Sequence, residues 1–131
     1  MELLSLESIV TTQLKVRVPK ILNNKFPNIT FTNEISDDDP IFPNVYIHEL
    51  EPSEVGNSIA NDTIHAVRDT IQIEATSNTT KSDARDIINA CVNATKVLKY
   101  AIVGMPVYTR NNNLHRYIIR VRRIVANGDN F

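Results

Sequence analysis

The amino-acid sequence predicts an α+β fold, in which a mainly antiparallel β-sheet has two helices packed on one face. Three observations lead to this fold class. Two stretches repeat apolar residues at helical spacing, four alternate apolar and polar residues, and together they follow the order helix, strand, strand, long strand, helix, strand. The chain has 131 residues, of which 42% are hydrophobic and 22% charged, and no repeat or linker divides it. We therefore expect a single domain over residues 1–131.

The first helix is predicted from its apolar stripe. Seven residues recur at three- and four-residue spacing: Leu6, Ile9, Val10, Leu14, Val18, Ile21 and Leu22. Pro19 lies inside this stripe, so the helix should kink or begin to end there, because proline lacks an amide donor and clashes with the preceding turn. After a stop at Phe26-Pro27, Ile29 and Phe31 alternate with polar residues and predict a short strand.

Two polar segments flank the second predicted strand, which runs from Val45 to Leu50. The first, residues 34–43, holds two prolines and three consecutive aspartates, so it is predicted to be an exposed loop. The second, residues 51–61, is polar and has no period of its own. Long polar loops on a rigid sheet commonly carry function. We expect both loops to make contacts, and the candidate contact residues are Asp37, Asp38, Asp39, Glu51 and Glu54.

The second half of the chain contains the longest patterns. Residues 64–75 alternate as a half-buried strand, and Asp69 alone interrupts its apolar side. Capping residues at 77–83 precede a second helix, whose apolar spacing continues to Ile102 and which Gly104 and Pro106 should end. A turn at residues 110–113 then leads into the last strand, residues 114–125.

Alternation assigns the two faces of this last strand. The apolar side is formed by Tyr117, Ile119, Val121 and Val125, and the other side by Arg116, Ile118, Arg120 and Arg122. The cluster of Arg116, Arg120, Arg122 and Arg123 around Tyr117 has two interpretations. It grips phosphates or stacks bases of a nucleic acid, or it pairs, with Arg110 as a further candidate, with the acidic loops of a neighbouring subunit. We favour the second, because the acids are present in the same chain.

The formal net charge of −1 hides an uneven distribution. Residues 1–62 contain ten acidic and four basic residues, a balance of −6, whereas residues 63–131 contain five acidic and ten basic residues, a balance of +5. If the two halves form different faces, each subunit presents complementary charge to the next, which favours head-to-tail association. The alternative is that these charges are scattered and solvated. In either case the chain lacks the basic surplus of a general nucleic-acid binder.

The sequence contains no catalytic or metal-binding constellation that we recognise. His48 and Glu49 are neighbours, but adjacent strand residues point to opposite faces. Cys91, the single cysteine, falls on the apolar stripe of the second helix and is predicted to be a small buried hydrophobe. Three glycines in all cannot build a phosphate-binding loop, and the three aspartates lack the spacing of a calcium loop. We therefore expect a protein that is not an enzyme, needs no cofactor or metal and works by self-association.

The order of the elements and one short segment resemble a known family. The first helix ends at Phe26-Pro27, and Pro40-Ile41-Phe42-Pro43-Asn44-Val45-Tyr46-Ile47 leads into a strand with the pattern Phe-Pro-x-Val-x-Ile. An exposed loop, the strand of residues 65–77, a helix rich in isoleucine and alanine, and the closing strand of residues 116–121 follow. Over nearly the whole chain this layout resembles the bacteriophage tail-terminator proteins.

This resemblance implies a structural virion protein with a defined set of partners. It implies a ring, usually of six subunits, that caps the tail tube, stops its polymerisation and provides the surface for head attachment. The implied partners are further copies of the chain, the tail tube protein, the head–tail connector and, in a contractile tail, the sheath protein, with no membrane and no specific nucleic acid. Such a protein is made in the host bacterial cytoplasm and resides in the tail or neck of the virion. Two alternatives remain open: a head-completion or minor capsid protein, and a small nucleic-acid-binding module that uses the C-terminal arginines.

Overall fold

One mixed sheet with two helices accounts for the whole described fold. The computed structural model describes residues 6–34, 41–50, 53–54 and 66–126. The helices are α1 (Leu6–Ile21) and α2 (Lys81–Val97), and the strands are β1 (Thr30–Thr32), β2 (Asn44–Glu49), β3 (Ser53–Glu54), β4 (Ala66–Ser77), β5 (Ala101–Ile102), β6 (Val107–Asn111) and β7 (Leu114–Ala126). The strand order is β1-β2-β4-β7-β5, with β3 beside β4 and β6 beside β7.

The sheet is antiparallel at every described pairing except that of β1 with β2. Its centre is the long β4–β7 ladder, which runs from Ala66 opposite Ala126 to Ser77 opposite His115. The predicted α+β class and the mainly antiparallel sheet are confirmed. In the described ranges, neither helix is both long and apolar enough to cross a membrane.

Both helices pack on the same face of the sheet and enclose the hydrophobic core. The helices contribute the fully buried side chains of Val10, Leu14, Val18, Ile87, Ile88 and Cys91, and the strands contribute Val45, Ile47, Ile71, Ile73, Ile119 and Val121. Each buried side chain of this size stabilises the fold by roughly 1.5 to 3 kcal/mol. The predicted apolar sides of β4 and β7 are therefore the sides that face the helices.

Helix α1 ends where its proline and asparagines predict. Pro19 lies in the last turn, where it removes one amide donor from the helix, and the helix continues for only two more residues, to Ile21. Asn23 and Asn24 then adopt positive φ angles of 52° and 57°. The amide of Asn24 donates to the Pro19 carbonyl at 2.9 Å, which closes the end of the helix.

Helix α2 is shorter than its apolar spacing predicts. It begins after Thr80, whose side-chain oxygen accepts a hydrogen bond from the Asp83 amide at 3.1 Å, as expected of a helix cap. It ends at Val97, so the prediction that it extends to Gly104 is wrong. Lys99 adopts a φ of 67°, which turns the chain out of the helix, and residues 101–102 pair with β7 as strand β5.

Three short strands were not predicted from the sequence. Ser53 and Glu54, predicted to lie in a projecting loop, pair as β3 with Arg68 and Val67. Besides β5, residues 107–111 form β6, so Arg110 belongs to a strand and the predicted turn narrows to Asn112 and Asn113. Asn112 has a φ of 55°, a conformation that asparagine tolerates better than most residues. Strands β5 and β6 pair with β7 on the edge away from β4, whereas β3 pairs with β4 on the edge where β2 also lies.

Candidate interaction surface

The face of the sheet that points away from the helices is the first candidate surface, and we call it the open face. The register of β2, β4 and β7 brings side chains of alternate residues to it. Its members are Asn44, Tyr46, His48, Arg68, Thr70, Gln72, Glu74, Thr76, Arg116, Ile118, Arg120, Arg122 and Ile124. None of them belongs to the buried apolar cluster.

Two arginines of the open face are held against the neighbouring strand. Arg120 Nε donates to Gln72 Oε1 at 3.1 Å, and Gln72 Nε2 donates to Glu74 Oε2 at 3.4 Å. Arg116 Nε donates to Thr76 Oγ1 at 3.3 Å, and its Nη1 lies 3.6 Å from Glu74 Oε1. These contacts lay both guanidinium groups across the sheet, where their remaining N–H donors are available to a partner.

The open face carries an excess of positive charge. Its described members include four arginines, Arg68, Arg116, Arg120 and Arg122, and one carboxylate, Glu74. All four arginines are exposed. Within the part of the chain that the structure describes, the guanidinium group of Arg122 makes no hydrogen bond or ion pair. An acidic partner therefore complements this face.

Two members of the predicted arginine cluster do not lie on the open face and so are not placed to contact a partner there. Arg123 and Tyr117 alternate with the open-face residues, and both point toward the helices. Arg123 is 8% exposed, and its Nη1 donates to the Leu98 carbonyl at 2.9 Å. Tyr117 packs against the core. The prediction that four arginines surround Tyr117 is therefore wrong, and this tyrosine offers no stacking platform among Arg116, Arg120 and Arg122.

Arg123 instead belongs to a buried polar cluster at the carboxyl end of α2. It is paired with Asp69 across the sheet, and the Tyr100 hydroxyl donates to Asp69 Oδ2. Burial raises the pKa of Tyr100, and the hydrogen bond to Asp69 and the negative charges of Asp69 and Glu49 raise it further, while Arg123 opposes the rise. The positive charge of Arg123 is also favourable at the C-terminus of α2, because the carbonyls there carry partial negative charge. This cluster explains why an aspartate interrupts the apolar side of β4.

The other predicted contact residues fall in different places. Glu54 lies in β3, and Arg110 is exposed in β6, where its Nε donates to the Asn112 carbonyl at 3.1 Å. The register pairs Arg110 with His115, so it projects from the opposite face to Arg116. Asp37, Asp38, Asp39 and Glu51 lie outside the described residues.

The histidine, carboxylate and thiol groups that the sequence offers as candidates for chemistry do not form a common site in the described part of the chain. His48 stacks on Tyr46 with ring centroids 6.0 Å apart on the open face, while Glu49 lies at a position that faces the helices. Cys91 is fully buried, as predicted, and burial raises the pKa of its thiol to about 12, which keeps it protonated. Among the described residues, no group of three or more His, Cys, Asp or Glu side chains is placed to hold a metal ion.

Comparison with known proteins gives similarity to solved structures. No protein-family model and no curated protein matches the sequence. Among solved structures, the chain is similar to one described as "Structure of bacteriophage SPP1 gp17 protein", with 16% sequence identity and a TM-score of 0.46. The match covers 99% of this chain and 100% of that chain. A similarity this weak carries no conclusion about function.

Proposed function

We propose that this chain is a structural virion protein of a bacteriophage tail. In this proposal it self-associates into a ring, usually of six subunits, that caps the tail tube, ends its polymerisation and provides the surface for head attachment. The observation that carries the proposal is the open face: an exposed, positively charged surface on a well-packed sheet, in a chain whose first half is acidic.

The charge arrangement supports association between identical subunits. The open face carries four arginines against one glutamate, and residues 1–62 have a balance of −6. One subunit therefore carries both signs of charge on different segments, as a head-to-tail contact requires. A repeated head-to-tail contact forms a closed ring when the rotation that relates one subunit to the next is a whole-number fraction of 360°.

The placement of the reactive groups supports a role without catalysis. The Cys91 thiol is sealed in the core, and the Tyr100–Asp69 pair is buried beneath the helices. His48 and Glu49 lie on opposite faces. We propose that the protein needs no cofactor or metal, and that its partners are further copies of itself, the tail tube protein, the head–tail connector and, in a contractile tail, the sheath protein.

Sedimentation velocity and electron microscopy test the proposal. The purified chain, alone or mixed with tail tubes, is expected to form a closed oligomer that sits at tube ends and stops their growth. Changing Arg122→Gln should weaken this assembly, whereas Arg85→Gln on the exposed side of α2 should not. A strict monomer that ignores tube ends, or one that hydrolyses a phosphoester or peptide, contradicts the proposal.

The four open-face arginines also favour a second candidate, a small nucleic-acid-binding module. Such binding weakens steeply with salt, with a log–log slope set by the number of phosphates neutralised. Titration of DNA and RNA at several salt concentrations separates the candidates. Binding that is absent or independent of salt discards the second one. Location of the protein at the capsid instead of the tail tube would indicate the remaining alternative, a head-completion or minor capsid protein.

A further inference from the structure

The open face has two ends that differ in charge. At one end, Arg116 Nη1 lies 3.6 Å from Glu74 Oε1, so the charge of this arginine is balanced within the sheet. At the other end lie Arg68, Arg120 and Arg122, and we call these three residues the basic end. In the described part of the chain, none of the three forms an ion pair with a carboxylate. The basic end therefore carries three positive charges without a counter-charge.

The three arginines of the basic end are neighbours in the sheet. Arg120 and Arg122 are alternate residues of β7, so their α-carbons lie about 6.8 Å apart. Arg122 is paired with Thr70, which places Arg68 diagonally across the β4–β7 pair, at roughly 7 to 8 Å from Arg122. Like charges this close repel each other, and an anion bound among them removes the repulsion.

The composition of the basic end is typical of a surface that contacts protein. Ile124 is paired with Arg68, follows Arg122 on the same face and is 54% exposed. None of the described members of the open face is a lysine. Arginine is enriched in protein–protein interfaces, whose centres are apolar, whereas lysine is depleted there. A surface that only attracts phosphate groups has no reason to lack lysine.

Nucleic acid is a poorer match, because the described basic end contains no aromatic ring for base stacking. Tyr46 and His48 lie on β2 and stack on each other. Tyr117 packs against the core on the other face. Proteins that hold single-stranded nucleic acid combine a basic groove with rings on which successive bases stack. The observations therefore favour a protein that presents carboxylates.

We propose that the basic end is the docking site for an extended acidic segment of a partner protein. Alternate residues of an extended segment project to one side about 6.8 Å apart, which is the spacing of Arg120 and Arg122. Carboxylates at that spacing each accept a pair of hydrogen bonds from one guanidinium group, and an apolar side chain of the partner packs on Ile124. The inference rests on the proposed function, in which the partner is a protein, and it names the chemistry that this partner presents.

Binding of synthetic peptides, measured by fluorescence anisotropy, tests the proposal. The probe is a peptide in which glutamate and threonine alternate, and its reference is an isomer whose glutamates are consecutive. We expect the alternating peptide to bind more tightly. Arg122→Gln should weaken its binding roughly fivefold, the upper range for an exposed ion pair. The matched control is Arg116→Gln on the same strand and face, which should change binding less than about twofold because Glu74 already balances that charge.

A second variant should change the affinity in the opposite direction. Glu74→Gln removes the carboxylate of the open face and releases Arg116, so the alternating peptide should bind roughly twofold more tightly or better. A folding defect does not produce tighter binding, which makes this result independent of any loss of stability. Unchanged or weaker binding contradicts the proposal.

The remaining outcomes separate this docking site from the proposed function. Equal binding of the two isomeric peptides, or an effect of Arg116→Gln as large as that of Arg122→Gln, overturns the inference. Single-stranded DNA that binds through Arg122 while the peptide does not bind overturns it as well. If the chain still assembles in these cases, the proposed function stands without this contact. A chain that binds the alternating peptide and never assembles overturns the proposed function and retains the docking site.

Discussion

Neighbouring residues of β7 have different roles: one stabilises the fold, and the next is available for contact with a partner. Ile119 is 2% exposed and packs in the core, while its neighbour Arg120 is exposed on the open face. Ile119→Ala should lower the free energy of unfolding by about 2 to 5 kcal/mol, since it removes buried methylene groups and leaves a cavity. Arg120→Ala should change it by less than about 0.5 kcal/mol and weaken association instead.

Urea denaturation and sedimentation of both variants check this division. The two substitutions act as controls for each other, because they lie side by side on one strand. If Arg120→Ala unfolds the protein while Ile119→Ala has no effect, the faces of β7 are assigned the wrong way round.

Tyr100 makes stability depend on alkaline pH. Its pKa is raised in the folded state, whereas the unfolded chain has the ordinary value of about 10, so the unfolded state loses the proton first. The stabilisation is complete below that pH and is lost as the pH rises above it toward the folded pKa. Tyr100→Phe should therefore flatten the alkaline decline in stability. It should also lower stability near neutral pH, because it removes the hydroxyl that donates to buried Asp69.

The measurement is urea unfolding of both proteins at neutral pH and at several alkaline pH values. Tyr46→Phe is the matched control, since Tyr46 lies on the open face and not in the buried cluster. An alkaline decline that Tyr100→Phe leaves as steep as in the wild type contradicts the prediction.

At the scale of elements, the end of α2 contains removable strain. Lys99 is exposed and has a φ of 67°, where a side chain costs roughly 1 to 2 kcal/mol and glycine does not. Lys99→Gly should raise the free energy of unfolding by up to about 1 kcal/mol, after the extra freedom of glycine in the unfolded chain is subtracted. Lys96→Gly, inside the last turn, should lower it by about 1 kcal/mol. Thermal denaturation distinguishes the two, and a loss of stability in both variants contradicts the prediction.

The sequence predicts the elements with long repeating patterns and misses the ends and short strands that lack them. Alternation over the long strands β4 and β7 identifies their buried sides, because many residues repeat the pattern. The apolar spacing of α2 runs on into Ala101 and Ile102, and the end at Val97 depends on a lysine in a conformation that glycine usually adopts. Strands of two residues, such as β3 and β5, are too short to show a period and form only because a long neighbour pairs with them.

The open face was predictable for the same reason, and strand β5 was not. Arg116, Arg120 and Arg122 alternate with the core residues of β7, so their common face follows from the sequence. The same rule assigns Arg123 to the buried side, and grouping it with the others neglected that alternation. Strand β5 has only two residues and pairs with Val121 and Arg122, a distant contact that no local pattern records, whereas β6 forms a hairpin with β7 across the turn at Asn112 and Asn113.

At the scale of the whole molecule, the acidic segment of residues 37–39 remains a predicted contact for the basic open face. Changing Asp37, Asp38 and Asp39 together to Asn should leave the fold intact and loosen the assembly. The effect should be larger at low salt, because charges farther apart than about 10 Å are screened at 0.1 M ionic strength. Sedimentation at two salt concentrations measures it, with Asp86→Asn on α2 as the control. An assembly that is unchanged by all three substitutions removes this segment from the interface.

The β4–β7 ladder also orders folding and assembly in time. It joins residues 66–77 to residues 115–126, so the centre of the sheet closes only after residues 115–126 have been synthesised. Strand β6 pairs with β7 across the two-residue turn at Asn112 and Asn113, so this local hairpin costs less chain entropy to form than the ladder between β4 and β7. A growing chain on the ribosome therefore lacks the centre of its sheet until β7 has emerged, and the association between copies that we propose is expected to begin from folded, released molecules.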